Sequence, residues 1–199
     1  MSPREHDEGL DVDLFGEPIP APDPSQATRG RRGAITAAQW QAWLSDEVLV
    51  ARYLANICWR AGSCAYWLST ISSTGHGKLR VGSRTDDSRR VLGAHLFGYQ
   101  LHHGVLADDL GDVVIGHRCD EPSCQQPAHM EVISRAENDA DYRARRHQWP
   151  LSDLRGAHGR AVALRDTIRS TLDTGGDVES ALDACNALGR PPRNTDVLF

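Results

Sequence analysis

The sequence predicts an α+β fold in which short antiparallel strands are flanked by helices. Segments with apolar residues at every third or fourth position, typical of amphipathic helices, are separated by short apolar stretches that fit strands. The 199 residues are 40% apolar and 25% charged, which is enough to build a buried core. Apolar runs stay well below the roughly 20 residues that cross a bilayer, and the first ten residues do not resemble a secretory signal. We therefore expect a cytoplasmic protein with no membrane contact.

The N-terminal arm, residues 1–33, is predicted to be disordered and acidic. Residues 1–26 contain seven acidic side chains and one arginine, a charge of −6, within a proline-rich stretch that has few large apolar residues. Burial in such a segment cannot offset the entropy lost on ordering. Because the whole chain carries −5, the remainder carries +1 and can display basic patches to a polyanion.

Two short segments, residues 11–15 and 195–199, resemble the acidic-hydrophobic peptides with which bacterial replication and repair proteins bind the sliding clamp. Both lack the glutamine that those peptides usually carry. The alternative interpretation is that both segments are packing anchors.

A helix is predicted from residue 37 to about residue 57. Thr36 and Gln39 form a capping-box pattern, in which each side chain satisfies a free backbone amide of the first turn. The apolar stripe of this helix comprises Trp40, Trp43, Leu44, Val48, Ala51, Leu54 and Ile57. Spacing of three and four residues places these side chains on one face, which should pack on the central domain.

The next segment is predicted to be a hairpin followed by a helix. Residues 66–68 and 79–81 have strand character and are separated by a Ser, Thr and Gly-rich turn. Residues 90–103 return to helical spacing, and Gly104 ends the helix.

Two apolar strands, residues 112–117 and 130–134, enclose a cysteine-rich loop. Ser134 and Glu137 form a second capping box, so a helix should run from residue 135 to about residue 146. Residues 157–172 and 178–188 are predicted to be two amphipathic helices separated by Gly175 and Gly176. We divide the chain into the arm, a central domain of residues 34–150, and a helical appendage of residues 151–199.

The cysteine-rich loop is predicted to bind zinc. Cys119, Cys124 and His129 follow a C-x4-C-x4-H spacing, and thiolates with one imidazole select zinc. A structural site needs four ligands, and Cys64 is favoured over Cys58 as the fourth because it adjoins the strand at 66–68. Cys58 and Cys185 are interpreted as core thiols.

His117 and Asn138 form the second chemical feature. His117 ends one strand, and Asn138 lies in the first turn of the helix that follows the next strand. If the loop between the strands brings the two side chains together, the imidazole could activate water while the amide oxygen holds a cation.

These residues resemble the HNH, or His-Me finger, endonucleases, and most closely the zinc-stabilised His-Cys box homing endonucleases and their bacterial and phage relatives. The run from Gly116 to Met130 follows the pattern H-x-C-x4-C-x2-P-x-H, and Asn138 stands nine residues after its last histidine. Upstream, C-A-Y-W-L from Cys64 and G-H-G-K-L from Gly75 are similar to a family hairpin, and the 94–104 segment to a family helix. His76 stands where the family has tyrosine. The resemblance covers roughly residues 64–146.

The resemblance implies a ββα-metal core that hydrolyses DNA phosphodiester bonds. His117 would be the general base, Asn138 would ligate a single Mg²⁺, and Arg80 or Arg84 would support the phosphate. Structural Zn²⁺ would be held by Cys64, Cys119, Cys124 and His129. Double-stranded DNA would lie along a basic path of Lys78, Arg80, Arg84, Arg143, Arg145 and Arg146.

The same resemblance sets further expectations about context. The protein would be bacterial or phage-encoded and nucleoid-associated, and a homodimer is one expected assembly. Two alternatives stay open: a non-catalytic, zinc-stabilised DNA-binding or scaffold module of a phage or mobile element, and a nuclease that acts on RNA. His95 is interpreted as a hydrogen-bonded helix residue rather than a reserve base.

Overall fold

The computed structural model describes residues 35–86, 88–106 and 112–192. Over these residues the fold is mixed α+β, with six α-helices and three two-stranded antiparallel sheets, and the part from Thr36 onward belongs to one compact unit. The acidic arm of residues 1–33 and the clamp-like peptides at 11–15 and 195–199 lie outside the described residues. None of the described helices combines the length and hydropathy required to cross a bilayer.

The first predicted helix is two helices, α1 (Ala37–Leu44) and α2 (Glu47–Leu54). The capping box of Thr36 and Gln39 is confirmed. The single continuous helix is wrong, because the Asp46 carboxylate accepts hydrogen bonds from the next helix's first amides and starts a new helix there. The predicted apolar stripe is not buried as one face, since Val48 is 80% exposed and Ala51 and Leu54 are also exposed.

The central strands pair differently from the prediction. Strand β1 (Ile57–Cys58) pairs with β2 (Tyr66–Trp67), and β3 (Lys78–Val81) pairs with β4 (Arg90–Gly93). The hairpin between residues 66–68 and 79–81 is therefore wrong. The predicted helix at 90–103 begins later, as α3 (Ala94–His103), because its first four residues hydrogen-bond to β3 instead; its end at Gly104 is confirmed.

The strands and the helix around the cysteine-rich loop agree closely with the prediction from the sequence. Strands β5 (Val113–His117) and β6 (Met130–Ser134) pair antiparallel, with His117 opposite Met130. A short 3₁₀ helix, Pro127–His129, leads into β6, and α4 (Arg135–Arg145) starts directly after β6. The second capping box is present.

The C-terminal helices α5 (Gly156–Asp173) and α6 (Val178–Gly189) pack against the rest of the unit. Their buried residues form one cluster with the β2 tyrosine: Tyr66, Leu164, Ile168, Leu182 and Cys185. Cys185 is therefore a core thiol, as predicted, and Cys58 packs on the same cluster.

A buried ionic network joins these helices to the cysteine-rich loop. Arg160 lies 2.7 Å from Glu121 of the loop and 3.1 Å from Asp153, and all three side chains are at most 5% exposed. Arg160 also stacks over Trp149, with its guanidinium carbon 4.4 Å from the ring centroid. Removing one member would leave a buried charge unpaired, so the contact between the loop and α5 needs all three side chains.

Candidate metal centre and active site

Four side chains converge where the β5–β6 loop meets the segment before β2. The ligand atoms of Cys64, Cys119, Cys124 and His129 all lie within 4.8 Å of one another. The Sγ atoms of Cys64 and Cys124 are 3.7 and 3.6 Å from His129 Nδ1. Thiolate and imidazole ligands on one tetrahedral ion with zinc-like bond lengths would be about 3.6 Å apart. This Cys₃His cluster could therefore hold a metal ion, and Cys58 is not part of it.

The thiols of the cluster are electrostatically coupled. Hydrogen bonds from the Cys124 and Cys64 thiols lower the pKa of the Cys119 thiol, so Cys119 ionises first. The hydrogen bond to Cys119 in turn raises the pKa of the Cys64 thiol, and burial raises this pKa further. Three neighbouring thiolates need a cation among them, and this is the environment that a metal ion provides.

His117 is oriented by the cysteine-rich loop between β5 and β6. Its Nε2 lies 3.0 Å from the backbone carbonyl oxygen of Cys124. Because a carbonyl oxygen can only accept, the neutral ring carries its proton on Nε2 and leaves a lone pair on Nδ1. The loop that bears three of the four cluster residues thus also fixes the tautomer of His117.

Asn138 reaches the same place from α4. Its amide Oδ1 is 3.6 Å from the position that a Cβ would occupy on Gly116, the residue before His117. His117 and Asn138 both line a pocket of about 370 Å³. The structure therefore brings together the two residues that the sequence singled out, with Asn138 carried by the capped first turn of α4.

Two further histidines surround His117. The ring centroids of His76 and His95 lie 5.8 and 5.1 Å from that of His117, and 4.8 Å from each other. His76 contacts Thr74 through Nδ1 at 3.0 Å, whereas the buried His95 Nδ1 has no hydrogen-bond partner in the described part of the chain. The sequence predicts a hydrogen-bonded helix residue at His95; it lies on α3, but its Nδ1 makes no hydrogen bond to any described residue. Burial, together with the nearby His117, lowers the pKa of both rings, that of His76 to about 4.

Acidification is expected to destabilise the fold through these rings. The unfolded chain binds a proton on His76 near pH 6.5, whereas the folded chain does so only near pH 4. The stabilisation is therefore complete above pH 6.5 and is lost as the pH falls toward 4. Between pH 7 and pH 5 we expect His76 alone to lower the free energy of unfolding by about 2 kcal/mol, measurable by urea denaturation.

The matched variant is His76→Phe, which keeps an aromatic ring but cannot bind a proton. It should lose less stability than the wild-type protein between the two pH values, because every other titrating group is shared. His102→Phe, at an exposed position on α3, should keep the wild-type pH dependence. Equal losses in the wild-type protein and His76→Phe would contradict the expectation.

The predicted DNA-binding residues fall in two places. Lys78 and Arg80 lie on the exposed face of β3, and Arg80 and Arg84 line a separate groove with Arg52 and Arg89. Arg80 does not line the pocket that contains His117 and Asn138, so the structure does not bring it to these two residues.

The three arginines near the end of α4 differ in their surroundings. Arg145 lines the His117 pocket, where it contacts Asp120 at 3.4 Å and Asp141 at 2.9 Å. Arg143 is exposed, and Arg146 donates to His147 Nε2. Arg145 is therefore the member of the predicted basic path that reaches the candidate active site.

Sequence reasoning missed several walls of the pocket. Tyr142 lies four residues after Asn138, so helical spacing alone could have placed the two on one face. Asp120 and Pro122 lie between Cys119 and Cys124, and the sequence offers no separate signal for them. Leu151 and Ala157 belong to the predicted helical appendage of residues 151–199, and only the tertiary fold places them at the pocket.

Comparison with protein-family models, curated proteins and solved structures found no match to this chain.

Proposed function

We propose that this chain hydrolyses phosphodiester bonds of DNA with one divalent cation, on a ββα-metal core made of β5, β6 and α4. The observation that carries the proposal is that His117 and Asn138 line one pocket, while His117 also contacts the backbone of Cys124 in the Cys₃His cluster. An imidazole with a free Nδ1 is a general base, and an amide oxygen is a ligand for a hard cation such as Mg²⁺. The strand-loop-strand-helix order supports the resemblance noted in the sequence.

In this mechanism His117 takes a proton from water at Nδ1 while its Nε2–H stays on the Cys124 carbonyl. The water oxygen forms a bond to phosphorus as the bond from phosphorus to the 3′ oxygen breaks, and the 3′ oxygen leaves with a proton from solvent. A cation held by Asn138 would supply electrostatic stabilisation of the leaving oxygen. Arg145, rather than Arg80, is the arginine near enough to the pocket to contact the phosphate.

Zn²⁺ is the proposed occupant of Cys64, Cys119, Cys124 and His129, in a structural role. Four protein ligands leave no open coordination position, so this ion would fix the loop and take no part in the reaction. His117 depends on the loop through the Cys124 carbonyl, which links the integrity of the cluster to the geometry of the base.

The test is relaxation of supercoiled plasmid in Mg²⁺ and in EDTA. We expect nicked or linear product in Mg²⁺ and none in EDTA, with activity returning when Mg²⁺ is added in excess over the chelator. Asn138→Ala, which leaves the Cys₃His cluster intact, should retain bound zinc and lose cleavage. Cleavage that is unchanged in EDTA would refute the mechanism, and an inactive protein with full zinc content would favour the scaffold alternative. Cleavage of RNA but not DNA would favour the RNase alternative.

A further inference from the structure

The pocket beside His117 and Asn138 is larger than a phosphate group requires. Its volume of about 370 Å³ lies at the lower end of the roughly 300–1,000 Å³ typical of small-molecule sites. Apolar walls are supplied by Pro122 of the cysteine-rich loop, Leu151 and Ala157 of the C-terminal segment, and Tyr142 of α4. A cavity of this size can take one nucleotide, whereas a paired base would bring its partner and its stacked neighbours with it.

The charges of the lining also favour a single nucleotide. Asp120, Glu131, Asp139 and Asp141 contribute carboxylates. Arg145, the one guanidinium among the described lining residues, pairs with Asp120 and Asp141, and Arg118 pairs with Glu131. Four carboxylates against two guanidinium groups leave the lining with a net negative charge. A continuous run of phosphates would be repelled by this wall. One phosphate accompanied by its cation, with the attached sugar and base, would not meet the same repulsion.

Tyr142 is placed to contact the base of that nucleotide. It follows Asn138 by four residues on α4 and precedes Arg145 by three, so all three side chains share one helix face. Its side chain is 56% exposed, while Tyr53, Tyr66 and Trp67 are buried. Exposed aromatic rings in nucleic-acid sites act as stacking platforms for unpaired bases.

We infer that Tyr142 stacks on an unpaired base next to the cleaved phosphate, so that the site prefers single-stranded or locally unpaired DNA to fully paired duplex. The inference rests on the proposed function and narrows its substrate. Freeing a base from a duplex costs a few kcal/mol, and a substrate that is already unpaired avoids this cost.

The test compares three end-labelled DNA substrates of one sequence in Mg²⁺: single strand, perfect duplex, and duplex with one bulged nucleotide. We expect kcat/KM to be at least about tenfold higher on the single strand and at the bulge than on the duplex. Tyr142→Ala should lower kcat/KM on the unpaired substrates by roughly 5- to 100-fold, while Tyr142→Phe keeps it. Trp59→Ala removes a comparably exposed aromatic outside the pocket and should change nothing.

A second measurement does not depend on cleavage. A single strand carrying 2-aminopurine is titrated with protein in Ca²⁺, and we expect its fluorescence to be quenched by the wild-type protein and by Tyr142→Phe but not by Tyr142→Ala. Equal cleavage of all three substrates, or quenching that survives Tyr142→Ala, overturns the inference and leaves the proposed function standing. If no substrate is cut, the proposed function fails, and the quenching still decides whether Tyr142 stacks on a base.

Discussion

Replacing His117 with alanine is expected to slow Mg²⁺-dependent DNA cleavage by roughly 10²- to 10⁴-fold. The reason is that His117 lines the pocket with Nε2 committed to the Cys124 carbonyl, which leaves Nδ1 as the ring nitrogen with a lone pair that can accept a proton. The neighbouring rings of His76 and His95 are held by their surroundings and are not expected to replace it fully. The measurement is the initial rate of plasmid nicking at saturating Mg²⁺.

Two controls separate loss of the base from loss of the fold. His102→Ala removes an exposed imidazole from α3 and should leave the nicking rate unchanged. His117→Ala should keep its metal content and unfold at a urea concentration close to that of the wild-type protein, and added imidazole should restore part of its activity. A His117→Ala protein that nicks plasmid within threefold of the wild-type rate would exclude His117 as the base.

The sequence predicted the segment around the site well because its signals are local. Capping boxes fix a helix start through residues three apart, so α4 and the position of Asn138 followed directly from Ser134 and Glu137. The loop between β5 and β6 is short, so the spacing of Cys119, Cys124 and His129 was enough to predict that their side chains lie close together. The inclusion of Cys64 was a long-range prediction, and it rested on the position of Cys64 just before the β2 strand.

The errors lie where pairing partners are distant or competing. Arg90–Gly93 has helical spacing, yet hydrogen bonding to β3 determines its conformation, so tertiary context overrides the local pattern. The N-cap at Asp46 was missed because the apolar spacing continues across it and predicts one continuous helix. The Arg160–Glu121 pair joins residues 39 apart in sequence, and no local sequence pattern predicts it. For the same reason Leu151 could not be recognised as a wall of the pocket.

Replacing Cys124 with serine is expected to abolish metal binding and to lower the free energy of unfolding by more than about 4 kcal/mol. Cys124 is fully buried, its Sγ lies 3.6 Å from His129 Nδ1, and its backbone bridges to Tyr66 of β2. A loop with few apolar side chains of its own would depend on a bound ion for its structure, so the binding energy of the ion would be folding energy. Elemental analysis of the purified protein and urea denaturation measure the two effects.

The matched control is Cys58→Ser, because Cys58 is a half-buried thiol that packs on the C-terminal helices outside the Cys₃His cluster. It should retain about one zinc ion per chain, whereas Cys64→Ser should lose the ion as Cys124→Ser does. Full zinc content in Cys64→Ser, or its loss in Cys58→Ser, would show that a different cysteine completes the site.

Cys124→Ser should also lose cleavage, since the loop carbonyl that orients His117 would no longer be held. His117→Ala should lose cleavage and keep zinc, and this one-way dependence is what distinguishes a structural ion from a catalytic one.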